Sequence, residues 1–576
     1  MKKTYKPFLI GLMSVSLFAQ YGCGDKLELK PWEIIDDAQD QGGDDGVNKG
    51  DVTLDVLEAE LLQGLPYMLL FDAHKYQYAR SQNVDVFAGY FTVSKSKFEY
   101  GGPLYYTYYY PNTYYEGPMG EASRLYPQLY HAYYFSENKN KEEWKALAII
   151  AYSYMMHNLV DFYGCIPFDD LRELKETNPM KYQNAKEVYG IILPELAEAV
   201  EILKSKQPSA EDLKKVEGES GGLSNLDWRN WVKFANSLRL RMALNMVKAD
   251  PVTAQEVAEA AVNDEVGVFQ AGDTDFGLST IIPATHPLYT ISVNWNDCRL
   301  GGSLENILKR MGSPLLEKWF SKNSATIKSS TGATMLTAQK DWAGVRQGVP
   351  MYVITEYSKF SQFTAQYMPR TFLKVTEVLF NRAEGALRGW NMGGTAQDFY
   401  EAGITRALND NGCSGSADEY LSRESAEEVD FEDYFKPEYS LPGRVNIGVK
   451  WDEEDSNETK LEKIITQKYI GNFPMSADAW TTFRRTGYPR LFPVPSDYGW
   501  TYDNSFDVEL QIRRLPFSQS ANSWGINAPG IIQALNDGIA DHPVQTPSGN
   551  TAGTRVWWDV PTESRDENNM VIPKNF

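Results

Sequence analysis

Trp295 stands between Asn294 and Asn296, with Tyr289 six residues before it and Arg299 four after. That spacing gathers a flat indole, amide side chains, a phenol and a guanidinium within eleven residues. A sugar ring has an apolar C–H face and a hydroxyl rim, and a pocket for one needs aromatic faces beside a few polar groups. A second such stretch is more crowded: Tyr105, Tyr106, Tyr108, Tyr109, Tyr110, Tyr114 and Tyr115 surround Asn112. From these two stretches Tyr289, Asn294, Trp295, Arg299, Tyr106, Tyr109 and Tyr114 are the candidate ligand contacts, and Trp342 is a third, separate one. Trp295 is the strongest single candidate. For any one tyrosine, packing between loops competes with ligand contact.

Catalytic chemistry is harder to find. The sequence has no phosphate-binding G-x-x-x-x-G-K-[ST], no G-x-S-x-G elbow, no H-E-x-x-H and no calcium-loop spacing. The five histidines, at 74, 131, 157, 286 and 542, lie at no metal-binding interval. Asp169–Asp170 is the kind of acidic pair a glycoside hydrolase would need across a bond, but 77 acidic residues produce such pairs by chance. No cofactor is expected, and a structural calcium is left open. Cysteines at 23, 165, 298 and 413 are too widely spaced for a disulfide framework or a zinc site. Cys165 reads as buried filler.

The N-terminus has its own chemistry. Lys2, Lys3 and Lys6 precede an apolar run from Phe8 to Ala19, and Gly22–Cys23 closes it. The run is shorter than the roughly 20 residues of a membrane-spanning helix and has the layout of a secretion signal. A small residue before a lone cysteine resembles a bacterial lipobox, although Gln20 stands where Leu or Val is usual. That resemblance implies a signal peptide over 1–22 and acylation of Cys23. Each buried CH₂ of an acyl chain adds about 0.8 kcal/mol of membrane affinity. Residues 23–50, rich in Asp, Gln and Gly, then serve as anchor and flexible tether. The net charge of −21 makes nucleic acid an unlikely partner, because an acidic surface repels phosphate backbones.

Elements must hold the loops in place. In Lys141–Tyr163, Trp144, Leu147, Ala148, Ala151, Met155 and Leu159 recur at three- and four-residue steps, and Gly164 and Pro167 end the run. The same signals predict helices over Ala185–Leu203, Trp228–Val247, Thr253–Val262, Ser303–Phe320, Thr371–Arg388, Ala396–Leu408 and Leu461–Ile470. Trp144-x2-Leu147-Ala148 and Trp231-x2-Phe234-Ala235 fit the first helix of a tetratricopeptide repeat, with second helices farther along than a regular period allows. The expected architecture is mainly α. Irregular tetratricopeptide-like repeats, mainly in 120–265 and 370–410, are covered by loop-rich, ligand-facing parts at 76–116, 272–357 and 411–576, all within one body over 51–576.

The stretch Trp480-x2-Phe483-Arg484-Arg485-Thr486-Gly487-Tyr488-Pro489 resembles the SusD/RagB family in its SusD-like outer-membrane lipoprotein branch. Phe162-Tyr163-Gly164-Cys165-Ile166-Pro167, Lys374–Glu384, Arg514-Leu515-Pro516-Phe517 and Arg555-Val556-Trp557-Trp558-Asp559 agree with it. The resemblance implies a fold of irregular repeats under a loop-rich second half. It also implies a lipid-anchored protein on the outer face of the outer membrane of Bacteroidetes. Such a protein is not an enzyme; it captures an oligosaccharide and delivers it to a TonB-dependent SusC-like transporter. An oligopeptide cargo, an envelope glycoside hydrolase and a protein-binding scaffold are the alternatives. Within the motif, Arg484 and Arg485 are expected to make fixed carboxylate or carbonyl contacts, and Gly487 to permit the turn before Pro489.

Overall fold

The computed structural model describes residues 53–576, except 69–71, 95–96, 99–101, 104–111, 124, 126–128, 131, 134–135, 137–139, 173–178, 220, 279–284, 351–356, 496–505, 518–524 and 543–547. Cys23, Tyr106 and Tyr109 therefore lie outside the described residues, as does the tether.

Nine helices organise the site. They are α1 (Glu142–Tyr163), α2 (Ala185–Lys206), α3 (Trp228–Asn245), α4 (Pro251–Val262), α5 (Gly302–Arg310), α6 (Val375–Leu387), α7 (Ala396–Asp410), α8 (Asn457–Gly471) and α9 (Ser476–Thr486). Their ends follow local chemistry. Gly164 stops α1 at a φ of 81°, a left-handed conformation that costs glycine little. Asn184 caps α2 in a reciprocal box with Glu187, and Thr395 does the same for α7 with Asp398. Asp250 caps α4, which opens on Pro251.

The helices stack in sequence as an irregular repeat scaffold. α1 packs on α2, α2 on α3, and α3 on both α4 and α6. The stack continues through α6 with α7 and α8. Ala148 and Ala235 are fully buried, so the facing helices approach closely at both repeat positions. The architecture is mainly helical, as the periodicity implies. The scaffold also reaches past residue 410, since α8 packs against α6 and α7 and α9 follows it directly.

Buried ion pairs tie successive repeats together. Arg241 of α3 grips Glu377 of α6 through two hydrogen bonds of 2.6 and 2.8 Å. Lys468 of α8 meets Asp478 of α9 at 2.9 Å. Arg513 is held by Asp559 of the C-terminal segment, 2.8 Å from Nε to Oδ2.

Two expected helices are corrected. Ser303–Phe320 is not one helix: α5 ends at Arg310, and a separate turn covers Leu315–Trp319. Gly312 lies between them at a φ of 58°, and Pro314 lacks the N–H that a continuing helix needs. The start of Thr371–Arg388 is strand rather than helix; Arg370–Leu373 (β4) pairs antiparallel with Phe276–Leu278 (β2). A second short ladder joins Phe91–Val93 (β1) to Cys298–Leu300 (β3), with Thr92 opposite Arg299. Beneath this ladder Phe91, Phe320, Phe363, Phe473 and Trp319 form an aromatic cluster with ring centroids 4.5 to 6.0 Å apart. That cluster fixes the loop layer to the scaffold, because Phe473 lies in the turn between α8 and α9.

Candidate functional site

The segment from His286 to Leu300 builds the site from one end to the other. Pro287 starts a helical turn through Tyr289, and the His286 ring caps it by accepting from the Leu288 N–H at 3.1 Å. His286 is buried, and burial holds its imidazole pKa well below the ordinary histidine range, so it acts as a neutral acceptor. The chain then widens into a π-helical turn over Thr290–Asn294. Such turns insert an extra residue and are frequent at functional sites. The Trp295 N–H closes this turn on the Thr290 carbonyl at 2.9 Å. Asn296 follows at a φ of 62°, a left-handed conformation that asparagine tolerates better than most residues.

Arg299 locks the turn. Its guanidinium donates to the carbonyls of Cys298 at 2.7 Å, Ser292 at 3.2 Å and Ser358 at 2.6 Å, and to the Asn296 side chain. The sequence places Arg299 among the ligand contacts, and this placement is corrected: the residue is 0 % exposed. The cause is its register opposite Thr92 in the β1–β3 ladder, which turns the side chain inward toward backbone carbonyls. Burial pushes its pKa down to about 10. Arg299 therefore positions the loop and does not meet solvent. Gln77 adds a second tie, donating to Asp297 at 2.9 Å, and the Ser94 hydroxyl donates to the Asn296 carbonyl.

Asn294 and Trp295 sit at the outer edge of this frame. Asn294 is exposed, and Trp295 and Tyr289 are half-buried. The Trp295 ring lies against His74, with centroids 4.5 Å apart and planes inclined by 39°. His74 comes from the helical turn Ala73–Tyr76, capped by Asp72, which accepts from the Lys75 N–H at 3.0 Å. That turn packs against Pro287–Tyr289. Two residues on, Tyr76 meets His286 edge-on at 6.0 Å, with the Arg370 guanidinium 4.8 Å from its ring centroid. Lys75 and Glu121 pair at 3.6 Å beside the same turn. Sequence reasoning treats His74 as an isolated histidine. The aromatic-rich stretch that follows it is the only local signal, because its partner lies more than two hundred residues away.

Trp342 stands apart. Its indole N–H donates to the Phe320 carbonyl at 3.0 Å, and the Lys322 ammonium lies 4.9 Å from its ring centroid. Those contacts commit its N–H and part of its ring to the protein. Tyr114 falls in the helix Asn112–Ser123, and its side chain is outside the described set. The acidic pair Asp169–Asp170 lies in the short helix Phe168–Arg172 and is held by the chain that follows: Asp169 accepts from Gln183 at 2.7 Å and Asp170 from the Lys181 N–H at 2.6 Å. Cys165 is buried, with a thiol pushed up to about 12 by burial, which is the opposite of an activated nucleophile. Among the described residues no three His, Cys, Asp or Glu side chains are grouped to hold a metal ion. No described helix is long and apolar enough to cross a membrane. The arrangement thus offers a rigid, partly exposed aromatic face with an amide beside it, suited to stacking and hydrogen bonding.

The Arg484–Pro489 motif turns inward. Arg484 donates to the carbonyls of Asp161 and Arg513, both at 2.7 Å, and its guanidinium lies 3.7 Å from the Trp480 ring centroid. Arg485 forms a bidentate pair with Glu384 of α6. Gly487 ends α9 at a φ of 78°. The motif thus holds α9 against the scaffold.

With this geometry established, comparisons with known proteins are informative. The family model for SusD-like proteins, described as Susd and RagB outer membrane lipoprotein, matches residues 46–559. No curated protein matches the chain. Among solved structures, a chitin-binding SusD homolog from Flavobacterium johnsoniae is 29% identical, with 88% of this chain and 97% of that one covered and a TM-score of 0.70. A SusD homolog from Bacteroides thetaiotaomicron is 28% identical, over 89% of this chain and all of the other, with a TM-score of 0.72. One from Bacteroides ovatus is 26% identical, covers 88% of this chain and 100% of its own, and has a TM-score of 0.74.

Proposed function

Because the chain belongs to the SusD-like family of outer membrane lipoproteins, we propose that it is a cell-surface receptor. In this reading it binds an oligosaccharide at the Trp295 platform and delivers it to a TonB-dependent SusC-like transporter. Cys23 carries the lipid that holds it at the outer membrane. The observation that carries the proposal is Trp295 itself: a half-buried indole braced by His74, beside exposed Asn294, on a turn that Arg299 makes rigid. A preformed aromatic face loses little freedom when a sugar ring stacks on it, so more of the stacking energy appears as affinity. Support also comes from the similar Flavobacterium protein, which binds chitin.

Binding without bond cleavage fits the site's chemistry. Carboxylates around the platform have protein partners: Asp297 accepts from Gln77, Glu121 pairs with Lys75, and Asp72 accepts from the Lys75 N–H. Glycoside hydrolysis needs two carboxyls facing each other across a bond.

Calorimetric titration with a panel of neutral oligosaccharides, chito-oligosaccharides included, and oligopeptides tests the reading. Saturable binding of at least one sugar that weakens in Trp295→Ala supports it. Binding of peptides alone replaces the cargo with peptide. Release of shortened sugars during the titration overturns the receptor reading in favour of a hydrolase.

A further inference from the structure

A small cleft, open to solvent, lies between the end of α9 and the C-terminal segment. It shares no residue with the Trp295 platform, and its walls are basic in a chain whose net charge is −21. Most of the cations there are already matched. Arg485 pairs with Glu384, Arg513 with Asp559, Arg490 with Glu462 at 3.2 Å and Arg444 with Glu509 at 2.7 Å. The remaining lining carboxylate, Glu563, is taken by Arg555.

Arg484, also in the lining, gives its guanidinium to the Asp161 and Arg513 carbonyls and the Trp480 ring, which leaves Lys248 and Lys574. The Lys248 ammonium donates to Thr562 Oγ1 at 3.0 Å, and that hydroxyl donates on to the Lys574 carbonyl at 2.6 Å. Among the described residues Lys248 forms no ion pair, and the exposed Lys574 ammonium has no protein partner. Nearby, the Nε of Arg485 is buried without a hydrogen-bond acceptor, although the residue is 2 % exposed. A buried donor left without an acceptor is unfavourable, and so is an ammonium drawn out of water without a counter-charge, as that of Lys248 is. Burial draws the Lys248 pKa down to about 8, and the attraction of Asp559 and Glu563 does not offset it.

We propose that this cleft is a second binding site, for a single tetrahedral oxyanion of the sulfate or phosphate type, held by the ammonium groups of Lys248 and Lys574. An oxyanion supplies what the cleft lacks: negative charge, and several acceptor oxygens in a small volume. It could arrive as a free ion or as a sulfate or phosphate group carried on a sugar. The proposal is independent of the Trp295 reading.

Sulfate is the suitable probe because its charge is constant from pH 7 to 9.5. Calorimetric titration of the purified protein, in buffers matched in ionic strength with sodium chloride, should show saturable one-site binding at pH 7. Affinity should fall at least tenfold by pH 9.5 as Lys248 loses its proton. Lys248→Met should weaken binding at least tenfold, and Lys574→Ala, at an exposed position, severalfold. If Lys248→Met fails to fold, Lys574→Ala carries the test. A sulfated disaccharide that binds more tightly than inorganic sulfate assigns the anion to a sugar, whereas equal affinity assigns it to a free ion. No saturable sulfate binding at pH 7, or unchanged binding in the folded variants, overturns the site.

Discussion

Arg485 of α9 and Glu384 of α6 face each other in a bidentate pair, with Nη1–Oε1 at 2.7 Å and Nη2–Oε2 at 2.6 Å. Both side chains are about 1 % exposed, and Arg388 adds two more contacts to the same carboxylate, at 3.0 and 3.1 Å. The pair joins the family motif to the scaffold. It also holds the Glu384 carboxyl down at about 2, since the attraction of Arg485 and Arg388 outweighs the burial that would raise it.

Glu384→Gln should therefore destabilise the protein strongly, because it leaves Arg485 buried without its counter-charge. Breaking a buried pair in this way costs about 3–5 kcal/mol. The sign of the pH dependence follows from a folded pKa below the unfolded one. The pair's contribution is fully present above the usual glutamate pKa and is lost as pH falls from roughly 4.5 toward 2. Urea unfolding of wild type and variant at pH 7, 4 and 2.5 checks this. The gap between them should narrow across the two lower values, and a constant gap would contradict the assignment.

Arg299→Met should lower stability by about 2–4 kcal/mol, because several buried oxygens lose their donor together and each unsatisfied one costs about 1–3 kcal/mol. The variant should also bind ligand more weakly, although Arg299 touches none, because the Asn294–Trp295 turn is released. Denaturant unfolding gives the first effect. Acrylamide quenching of tryptophan fluorescence gives the second, and it should increase in the variant before any global unfolding.

On the proposed anchoring, Cys23→Ser should leave the folded body intact and free it from the membrane, since acyl chains supply the attachment. Labelling of cells with radioactive palmitate should mark the wild-type protein and not the variant. Protease added to intact cells should degrade the wild-type protein. An unlabelled, protease-shielded wild-type protein would overturn the anchoring.

The helical scaffold was legible in the sequence where its signals are local. Trp144, Leu147, Ala148 and Ala151 all lie on the buried face of α1, and Gly164 ends that helix. Ser303–Phe320 was misleading because its apolar spacing continues through Gly312 and Pro314, where the backbone cannot. The candidate site was half legible. The composition around Trp295 singled out the loop, but His74 was hidden because the contact depends on how distant segments pack. Arg299 was misassigned for a related reason: only the pairing of β1 with β3 decides which way an arginine at a loop's end points. The inward role of Arg484 and Arg485 was readable, since a guanidinium followed by a helix-ending glycine suits fixed carbonyl and carboxylate contacts.

Trp295→Ala separates stacking from folding. The side chain is half-buried and lies at the rim of its loop, so its removal should shift the melting temperature by only a few degrees. Stacking of an aromatic face contributes about 0.5–1.5 kcal/mol beyond the area it buries, and the lost area adds to this, so oligosaccharide affinity should fall about tenfold or more. Trp295→Phe keeps an aromatic face and should retain most of the affinity. His74→Ala removes the ring that braces Trp295 at 4.5 Å, so it should weaken binding less than loss of the indole itself. Calorimetry on the three variants, beside their melting curves, orders these effects. A Trp295→Ala protein that melts normally and binds sugar as tightly as wild type would move the ligand away from this platform.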